Sequence, residues 1–255
     1  DKSKVEDVIR DGAVFYDSIE SCVKNQDVVI TIVGYPKDVE EVYFSAKGIL
    51  NSVSEGTILI DMTTTSPELS IKIYEEAKNK GLKALDAPVS GGDVGAKNAT
   101  LSIMVGGDKD VFDSAQEIFE AMGTTIIYEG KAGSGQHTKM ANQIAIAGIM
   151  AGISEAIAYG KEVGLDIDTM LKSISNGAAS SFHMTNNAPK MNQRDFKAGF
   201  YIKHMVKDLK IANDEVPDLK VLKDVLEMYE TLEKNGDGDL GTQAICKYYE
   251  YLIIF

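Results

Sequence analysis

Continuous hydrophobic runs predict strands in the first half of the chain. Residues 28–33 (VVITIV) are almost entirely β-branched, and residues 57–61 (TILID) repeat the pattern. Such runs are typical of strands buried on both faces of a parallel sheet. Three further runs predict strands at residues 83–87, 101–105 and 125–128.

Helix signals occupy the segments between these strands. Ser66 is a candidate N-cap, Pro67 suits the first helical position, Glu68 lies in the first turn, and Gly81 follows the helix end. Asp108 is predicted to cap another helix, which ends at about Gly123. Strands separated by helices of this length imply right-handed crossovers. The pattern therefore predicts an α/β fold with a Rossmann-like, doubly wound parallel sheet.

The pattern after Gly135 is helical throughout. One long helix is predicted from Gln136 to Gly164, and its many small residues would let other helices approach closely. Shorter helices are predicted at residues 166–176, 188–191, 205–214, 222–234 and 242–251. We therefore divide the chain into an α/β domain, residues 1–133, and an all-α C-terminal domain, residues 134–255.

The start of the chain lacks a motif that this fold requires. A dinucleotide-binding fold opens with a strand, a G-x-G-x-x-G turn and a helix. Residues 1–14 instead predict a short helix, and the glycines at 130, 133 and 135 follow the last strand with a different spacing. We therefore expect the native chain to carry a strand–turn–helix of roughly 30 residues before Asp1. That segment would include the strand end that selects NAD or NADP.

Composition narrows the possible classes of function. A net charge of −13 over 255 residues argues against a nucleic-acid-binding face. Two cysteines far apart, Cys22 and Cys246, suit a reducing compartment rather than a disulfide framework. The apolar run at residues 144–153 is interrupted by glycines and is too short to cross a bilayer. No secretory signal opens the sequence, so we expect a cytoplasmic protein that binds neither membrane nor nucleic acid.

A glycine-rich loop follows the third predicted strand. Residues 86–92 (DAPVSGG) begin at the carboxyl end of that strand, where ligands bind in open α/β sheets. Ser90 can donate and accept hydrogen bonds, and Gly91 and Gly92 allow backbone N–H groups to approach a carboxylate. An ordinary β-turn is the alternative interpretation.

A candidate catalytic lysine lies at the start of the long helix. In residues 133–143 (GSGQHTKMANQ), Lys139 and Asn142 are three apart on one helical face, and Gln143 is four from Lys139. The helix dipole disfavours a cation in the first turns, which would lower the pKa of Lys139 as proton transfer requires. A solvated surface lysine is the alternative.

Two other groups of residues have features of binding sites. Lys203 and Lys207 share a helical face, which suggests an anion site or, alternatively, a solvated surface. Residues 235–239 (NGDGD) resemble the start of a calcium loop, but the glycine and glutamate that such a loop needs are missing. The three histidines lack the spacing of metal ligands, so no metal site is predicted.

Four segments together resemble the β-hydroxyacid dehydrogenase family, which includes 3-hydroxyisobutyrate dehydrogenase and 2-hydroxy-3-oxopropionate reductase. They are residues 61–67, residues 86–92 with their continuation at 95–96 and 101–107, residues 133–143 and residues 199–209. The resemblance implies an NAD- or NADP-dependent enzyme that transfers a hydride between nicotinamide and a small 3-hydroxy acid or its semialdehyde. The alternative is a non-catalytic dimeric family member or fragment that no longer binds nucleotide. A phosphogluconate dehydrogenase is less favoured, because the helical domain of that enzyme is much longer.

The resemblance also implies roles for particular residues. Lys139 would be the general acid/base, Asn142 and Gln143 would bind the substrate beside it, and Ser90, Gly91 and Gly92 would hold the substrate carboxylate. On the cofactor side, the implied residues are Val33, Gly34 and Pro36 near the adenosine and ribose, Thr63 and Thr64 near the nicotinamide, and Lys207 from the helical domain. The family further implies that residues 1–133 are a dinucleotide-binding domain that is incomplete at its N-terminus. It also implies that residues 134–255 bind the substrate and form a homodimer or homotetramer.

Overall fold

The computed structural model describes residues 2–252, which form two compact units. The sheet unit comprises residues 2–90 and 99–136, and the helical unit comprises residues 91–98 and 137–252. The predicted N-terminal helix is present as a 3₁₀ turn (Lys2–Lys4) and helix α1 (Glu6–Arg10), and Asp1 lies outside the described residues.

A six-stranded sheet forms the centre of the sheet unit, with the order β1-β2-β3-β5-β4 and β6 paired to β5. Its first three strands run parallel and in register, so Thr31, Asp61 and Asp86 are neighbours at one end of the sheet. The Rossmann-like class predicted from the sequence is confirmed. The strands are β1 (Val28–Thr31), β2 (Ile58–Asp61), β3 (Lys83–Asp86), β4 (Val89–Ser90), β5 (Leu101–Gly107) and β6 (Gly123–Gly130).

Two helices of the first half test the N-caps predicted from the sequence: one prediction is confirmed and the other is wrong. Helix α5 begins as predicted, because the Ser66 hydroxyl accepts a hydrogen bond from the Leu69 N–H. Asp108 does not cap its helix, since its carboxylate accepts the Tyr74 hydroxyl at 2.8 Å, and the predicted single helix is divided at Ala115. These helices are α2 (Ile19–Val23), α3 (Pro36–Phe44), α4 (Ile49–Ser52), α5 (Pro67–Asn79), α6 (Gly92–Lys97, in the helical unit), α7 (Lys109–Ser114) and α8 (Gln116–Glu120).

Strand direction in the second half of the sheet differs from the all-parallel prediction. β5 runs antiparallel to β3 and to β4, whereas β6 runs parallel to β5. Parallel neighbours need a crossover of about a dozen or more residues, usually containing a full helix. Residues 87–100 contain β4 and only the short helix α6, so the chain re-enters the sheet in the opposite direction.

Helix α9 is the long helix predicted from the sequence, and it is followed by shorter helices. Helix α11 was not predicted, because five residues carry no periodic pattern, and its start depends on the Ser181 hydroxyl accepting the Met184 N–H. The elements are α9 (Ser134–Glu162), α10 (Ile167–Ile174), α11 (Phe182–Asn186), α12 (Ala188–Gln193), α13 (Ile202–Glu215), α14 (Lys220–Leu232), a π-helical segment (Glu233–Asp237), a 3₁₀ turn (Thr242–Cys246) and α15 (Lys247–Leu252).

By length and apolar composition, α9 alone among the described helices qualifies as a candidate membrane span. One face of this helix, however, lies in the hydrophobic core of the helical unit, including Met150, Ile153 and Ile157. Lys139 and Gln143, on the same helix, are also buried. The composition of α9 is therefore that of a core helix.

Gly135, at the start of α9, is required by a close backbone approach. A Cβ atom at this position would lie 2.3 Å from the Met104 carbonyl oxygen and 2.8 Å from that of Asp86. We expect Gly135→Ala to lower the free energy of unfolding by at least about 1–3 kcal/mol, because backbone atoms cannot retreat as a flexible side chain can. Denaturant unfolding of both proteins measures the difference.

Gly177→Ala is the matched control, since the nearest atom to its added Cβ would be a carbonyl oxygen at 4.0 Å. It should change stability by no more than about 0.5 kcal/mol. Equal stabilities of the two variants would contradict the role given to Gly135.

Candidate cofactor and proton-transfer sites

Asp61 ends strand β2 and organises the loop that follows it. Its Oδ1 accepts hydrogen bonds from the Thr31 hydroxyl at 2.9 Å and from the Thr63 N–H at 3.1 Å. The Tyr43 hydroxyl lies 2.9 Å from the Thr31 hydroxyl, which extends the buried network to helix α3. Burial raises the pKa of Asp61 to about 6, although the hydrogen bonds from Thr63 and Thr31 oppose the shift.

Asp86 has the corresponding position at the end of β3. Its Oδ1 accepts the Gly133 N–H at 2.8 Å, and its Oδ2 accepts the Gln136 N–H at 3.0 Å. Burial raises the pKa of this carboxyl group as well, with the same backbone hydrogen bonds opposing the shift. The carboxyl end of β3 therefore holds the start of α9, where unpaired helix N–H groups favour a negative charge.

The loop after β1 contains the three residues predicted to face the adenosine and ribose. Val33, Gly34 and Pro36 are all half-buried, so part of each is accessible. The Val33 N–H donates to the Thr63 hydroxyl oxygen at 3.0 Å. Pro36 is the first residue of α3, whose start is held by a hydrogen bond from the Tyr35 N–H to Asp38.

The structure separates the roles of the two threonines predicted to lie near the nicotinamide. Thr63 is 1% exposed, and its N–H, hydroxyl and carbonyl bind Asp61, Val33 and Gln136. Thr64 is half-buried and partly accessible. Thr64 is therefore the better candidate for cofactor contact, whereas Thr63 holds the loop in place.

In the helical unit, a buried chain of polar side chains surrounds the candidate catalytic lysine. The Asn142 amide donates to Gln143 Oε1 at 2.8 Å, and the Gln143 amide donates to Asp208 Oδ2 at 2.6 Å. The other oxygen of Asp208 forms an ion pair with Lys207 at 3.0 Å. Lys139 itself is only 6% exposed, which contradicts the alternative of a solvated surface lysine.

The pKa of Lys139 is lowered to about 8, and burial is the largest cause. The nearby positive charge of Lys207 lowers the pKa further, whereas the negative charge of Asp208 raises it. The direction of the pKa shift agrees with the sequence-based prediction, and burial is a cause that the sequence analysis did not include. A lysine with a pKa in this range exchanges protons near neutral pH, as general acid/base catalysis requires.

The glycine-rich loop after β3 divides between the two units. Ser90 lies in the sheet unit, half-buried in β4 and in register with Ser102. Gly91 and Gly92 lie in the helical unit with φ of +129° and +60°, a region that L side chains rarely adopt. A Cβ atom on Gly92 would lie 3.8 Å from the Gly199 carbonyl oxygen, so two of the segments that resemble the family meet within this unit.

The predicted pair of lysines at 203 and 207 does not form a joint anion site. Lys203 binds Asp239 at 2.6 Å, whereas Lys207 binds Asp208. In the segment that resembles a calcium loop, Asp237 forms an ion pair with Lys247. The carboxylates of residues 235–239 thus neutralise lysines within the helical unit.

Four residues of these sites received no role from the sequence: Asp61, Asp86, Gln136 and Asp208. An acidic residue that ends an apolar strand was an available signal for the first two. For Asp208, the signal was a carboxylate among Met205, Val206 and Leu209 on the apolar face of α13. Gln136 had no local signal, because only its contacts across the fold distinguish it.

Known protein families match nearly the whole chain. Residues 1–130 match the NAD binding domain of 6-phosphogluconate dehydrogenase, and residues 133–249 match the family model described as NAD-binding of NADP-dependent 3-hydroxyisobutyrate dehydrogenase. The chain belongs to the β-hydroxyacid dehydrogenase family. It is therefore an NAD(P)-dependent oxidoreductase, as the sequence analysis predicted.

Individual members of the family are similar over most of their length. An uncharacterized oxidoreductase of Bacillus subtilis, YkwC, is 50% identical over 97% of this chain and 88% of its own. The 2-hydroxy-3-oxopropionate reductase of Escherichia coli is 32% identical over 94% of this chain and 84% of its own. A solved structure of Mycobacterium tuberculosis 3-hydroxyisobutyrate dehydrogenase with L-serine is 28% identical, with a TM-score of 0.87 over 96% of this chain and 87% of that one.

The cofactor of this family member is NAD or NADP, and the residues of the sheet unit fit such a group. The loops after β1 and β2 lie at the carboxyl ends of parallel strands, where dinucleotides bind in this fold. Their backbone is held by buried hydrogen bonds, and Val33, Gly34 and Thr64 remain partly accessible. When bound, the nicotinamide supplies or accepts a hydride.

The buried carboxyl group of Asp61 should make the stability of the protein depend on pH. Its pKa is higher in the folded protein than its ordinary value of 3.8. The stabilisation from this group is therefore fully present below pH about 4 and is lost as the pH rises through about 6. In Asp61→Asn, Oδ1 keeps its two hydrogen bonds and no group ionises.

Relative to the wild-type protein, Asp61→Asn should gain up to roughly 3 kcal/mol of unfolding free energy between pH 4 and pH 8. Denaturation followed by circular dichroism at both pH values measures this change. A ¹³C NMR titration of the carboxyl group gives its pKa directly. A pKa near 4, or a difference in stability that does not vary with pH, would contradict the assignment.

Proposed function

We propose that this protein interconverts small 3-hydroxy carboxylic acids and their semialdehydes, with Lys139 as the general acid/base. The observation that carries the proposal is the buried Lys139 ammonium group, whose pKa is lowered to about 8 beside Lys207 and Asp208. Burying a lysine costs stability, so such a lysine marks a candidate functional site.

The charges around Lys139 favour an anionic substrate. The charged groups that shift its pKa are one carboxylate, Asp208, and one ammonium group, Lys207. With Lys139 protonated, two positive charges face one negative charge in a buried environment. A substrate carboxylate would balance them, and the accessible N–H groups of a Gly91–Gly92 turn suit the same ligand.

In the oxidative direction, the neutral amine of Lys139 would take the proton from the substrate hydroxyl, and a bound nicotinamide would supply the acceptor for the hydride of the hydroxyl-bearing carbon. The C–H and O–H bonds break and the C=O double bond forms. In the reductive direction, the ammonium group returns the proton to the oxygen. Asn142 and Gln143 would orient the substrate through their amide groups, with Gln143 fixed by its hydrogen bond to Asp208.

The remaining assignments follow the division predicted from the sequence. Residues 1–133 would bind the nucleotide, with Val33, Gly34 and Pro36 toward the adenosine and ribose and Thr64 toward the nicotinamide. Residues 134–255 would supply proton transfer, and Lys207 is a proposed cofactor-binding residue. The protein would act in the cytoplasm.

The names of similar proteins suggest a substrate panel of 3-hydroxyisobutyrate, L-serine and 2-hydroxy-3-oxopropionate, each assayed with NAD(H) and NADP(H).

Removing the Lys139 amine should abolish most of the turnover. We expect Lys139→Ala to lower kcat by at least about 100-fold, the scale of general acid/base catalysis, while cofactor affinity stays nearly unchanged. In the wild-type protein, kcat/KM for oxidation should rise with pH and level off above pH about 8, because the neutral amine is the base. For reduction, kcat/KM should fall above the same pH.

Lys172→Ala is the control, since it removes an exposed lysine of the helical unit. It should retain wild-type turnover and the same pH profile. If Lys139→Ala kept most of its activity, the assignment of Lys139 would be wrong. If the wild-type protein turned over no member of the panel and bound no NADH, the non-catalytic alternative would be favoured.

We also expect a homodimer or homotetramer formed through the helical unit. Helix α9 exposes large apolar side chains in addition to its small residues, with Ile149 40% and Tyr159 67% exposed, and Val163, which directly follows the helix, is 51% exposed. An obligate contact would bury more than about 2,000 Å². Light scattering at micromolar concentration tests this, with Tyr159→Glu expected to weaken association. A monomeric wild-type protein would refute the expectation.

A further inference from the structure

The buried side chain of Gln136 bridges the two sides of Thr64. Its Nε2 donates to the Thr63 carbonyl oxygen at 2.8 Å, and its Oε1 accepts the Thr65 N–H at 3.1 Å. The residue is 0% exposed, and its own N–H is bound by the Asp86 carboxylate. One amide group therefore satisfies a backbone acceptor and a backbone donor on either side of the partly accessible threonine.

A glutamine suits this position for a chemical reason. The segment presents one carbonyl oxygen and one N–H group, and an uncharged amide carries one matching donor and one matching acceptor. A methionine of similar length would leave both backbone groups buried without partners, which costs more than the hydrogen bonds themselves contribute. A glutamate would keep the acceptor for Thr65 but would set a negative oxygen against the Thr63 carbonyl.

The bridge leaves little freedom to the segment between its two ends. The backbone is held at Thr63 and at Thr65, so the φ and ψ angles of Thr64 are restricted from both sides. The Thr63 N–H is held separately by Asp61. The segment is thus fixed by buried groups before any ligand binds, and such preorganisation favours binding and alignment.

We propose that Gln136 is a positioning residue that holds residues 63–65 in the conformation that receives the nicotinamide end of the cofactor. This inference rests on the proposed function in one respect, the assignment of Thr64 to the cofactor. Gln136 acts through the backbone of the segment and touches neither substrate nor cofactor in this role.

The test compares Gln136→Met and Gln136→Glu with a matched control, Gln243→Met. Gln243 is also a buried glutamine, and its amide donates to two backbone carbonyl oxygens, those of Asp195 and Lys197. All three variants remove hydrogen bonds of a buried amide. A change in amide exchange or cofactor affinity that reflects only general destabilisation should therefore appear in Gln243→Met as well.

The first measurement is the exchange rate of the Thr65 amide hydrogen, which needs no activity. Exchange should accelerate at least about 5-fold in Gln136→Met, since one hydrogen bond of ordinary strength is lost. It should remain slow in Gln136→Glu, which keeps the acceptor, and in Gln243→Met. Unchanged exchange in Gln136→Met would overturn the proposal.

The second measurement is the dissociation constant of NADH or NADPH, followed by cofactor fluorescence. We expect about a 5- to 10-fold weaker affinity in both Gln136 variants and an unchanged affinity in the control. Faster Thr65 exchange with unchanged cofactor affinity would show a purely structural role and would overturn the proposal. An equal loss of affinity in Gln243→Met would do the same.

A third measurement separates this proposal from the proposed function. With substrate deuterated at the hydroxyl-bearing carbon, Gln136→Met should show a larger kinetic isotope effect than wild type, because misalignment slows hydride transfer. Its pH profile should still turn near pH 8, since Lys139 is untouched. Absence of wild-type turnover would refute the proposed function, whereas the exchange and affinity measurements would still decide the role of Gln136.

Discussion

The carboxylate of Asp86 holds the N–H groups of Gly133 and Gln136 at the carboxyl end of a strand, and the neighbouring loops depend on this contact. With its backbone held there, Gln136 binds the carbonyl of Thr63. Thr63 in turn accepts the N–H of Val33 from the adjacent loop. Three strand ends are thus joined by successive buried hydrogen bonds. Because buried polar groups are costly when unpaired, none of these loops can move without leaving a partner unsatisfied.

In the helical unit, the main constraint is the burial of a positive charge. Lys139 is kept from water, and its ammonium form is stabilised by Asp208 and disfavoured by Lys207. Asp208 is itself held by Gln143 and by its ion pair with Lys207. A buried carboxylate of this kind has a high desolvation cost unless its oxygens are paired. The same contacts that compensate this cost therefore also set the proton affinity of Lys139 near neutral pH.

Local signals were sufficient for the regular elements of the fold. The start of α5 at Pro67 depends on Ser66, Pro67 and the next few residues, and α9 extends over a segment that is rich in small and apolar residues and contains no proline. The strands at residues 28–31 and 58–61 follow from β-branched runs. The residues that give these signals lie close together in the sequence, so the signals can be recognised without knowledge of the tertiary structure. Lys139 was found in the same way, through its position in a recognisable segment.

The sequence by itself determined which helices and strands form, which family the chain belongs to and which lysine is the catalytic candidate. The tertiary structure decided the direction of the strands, the burial of the site residues and their hydrogen-bond partners. The reversed direction of β5 depends on how residues 87–100 return to the sheet, which no local pattern specifies. The burial that lowers the pKa of Lys139 comes from packing, which no local pattern along α9 specifies. Gln136 meets residues more than 70 positions away along the chain. Such contacts are set by the free energy of the whole fold, and only the folded arrangement reveals them.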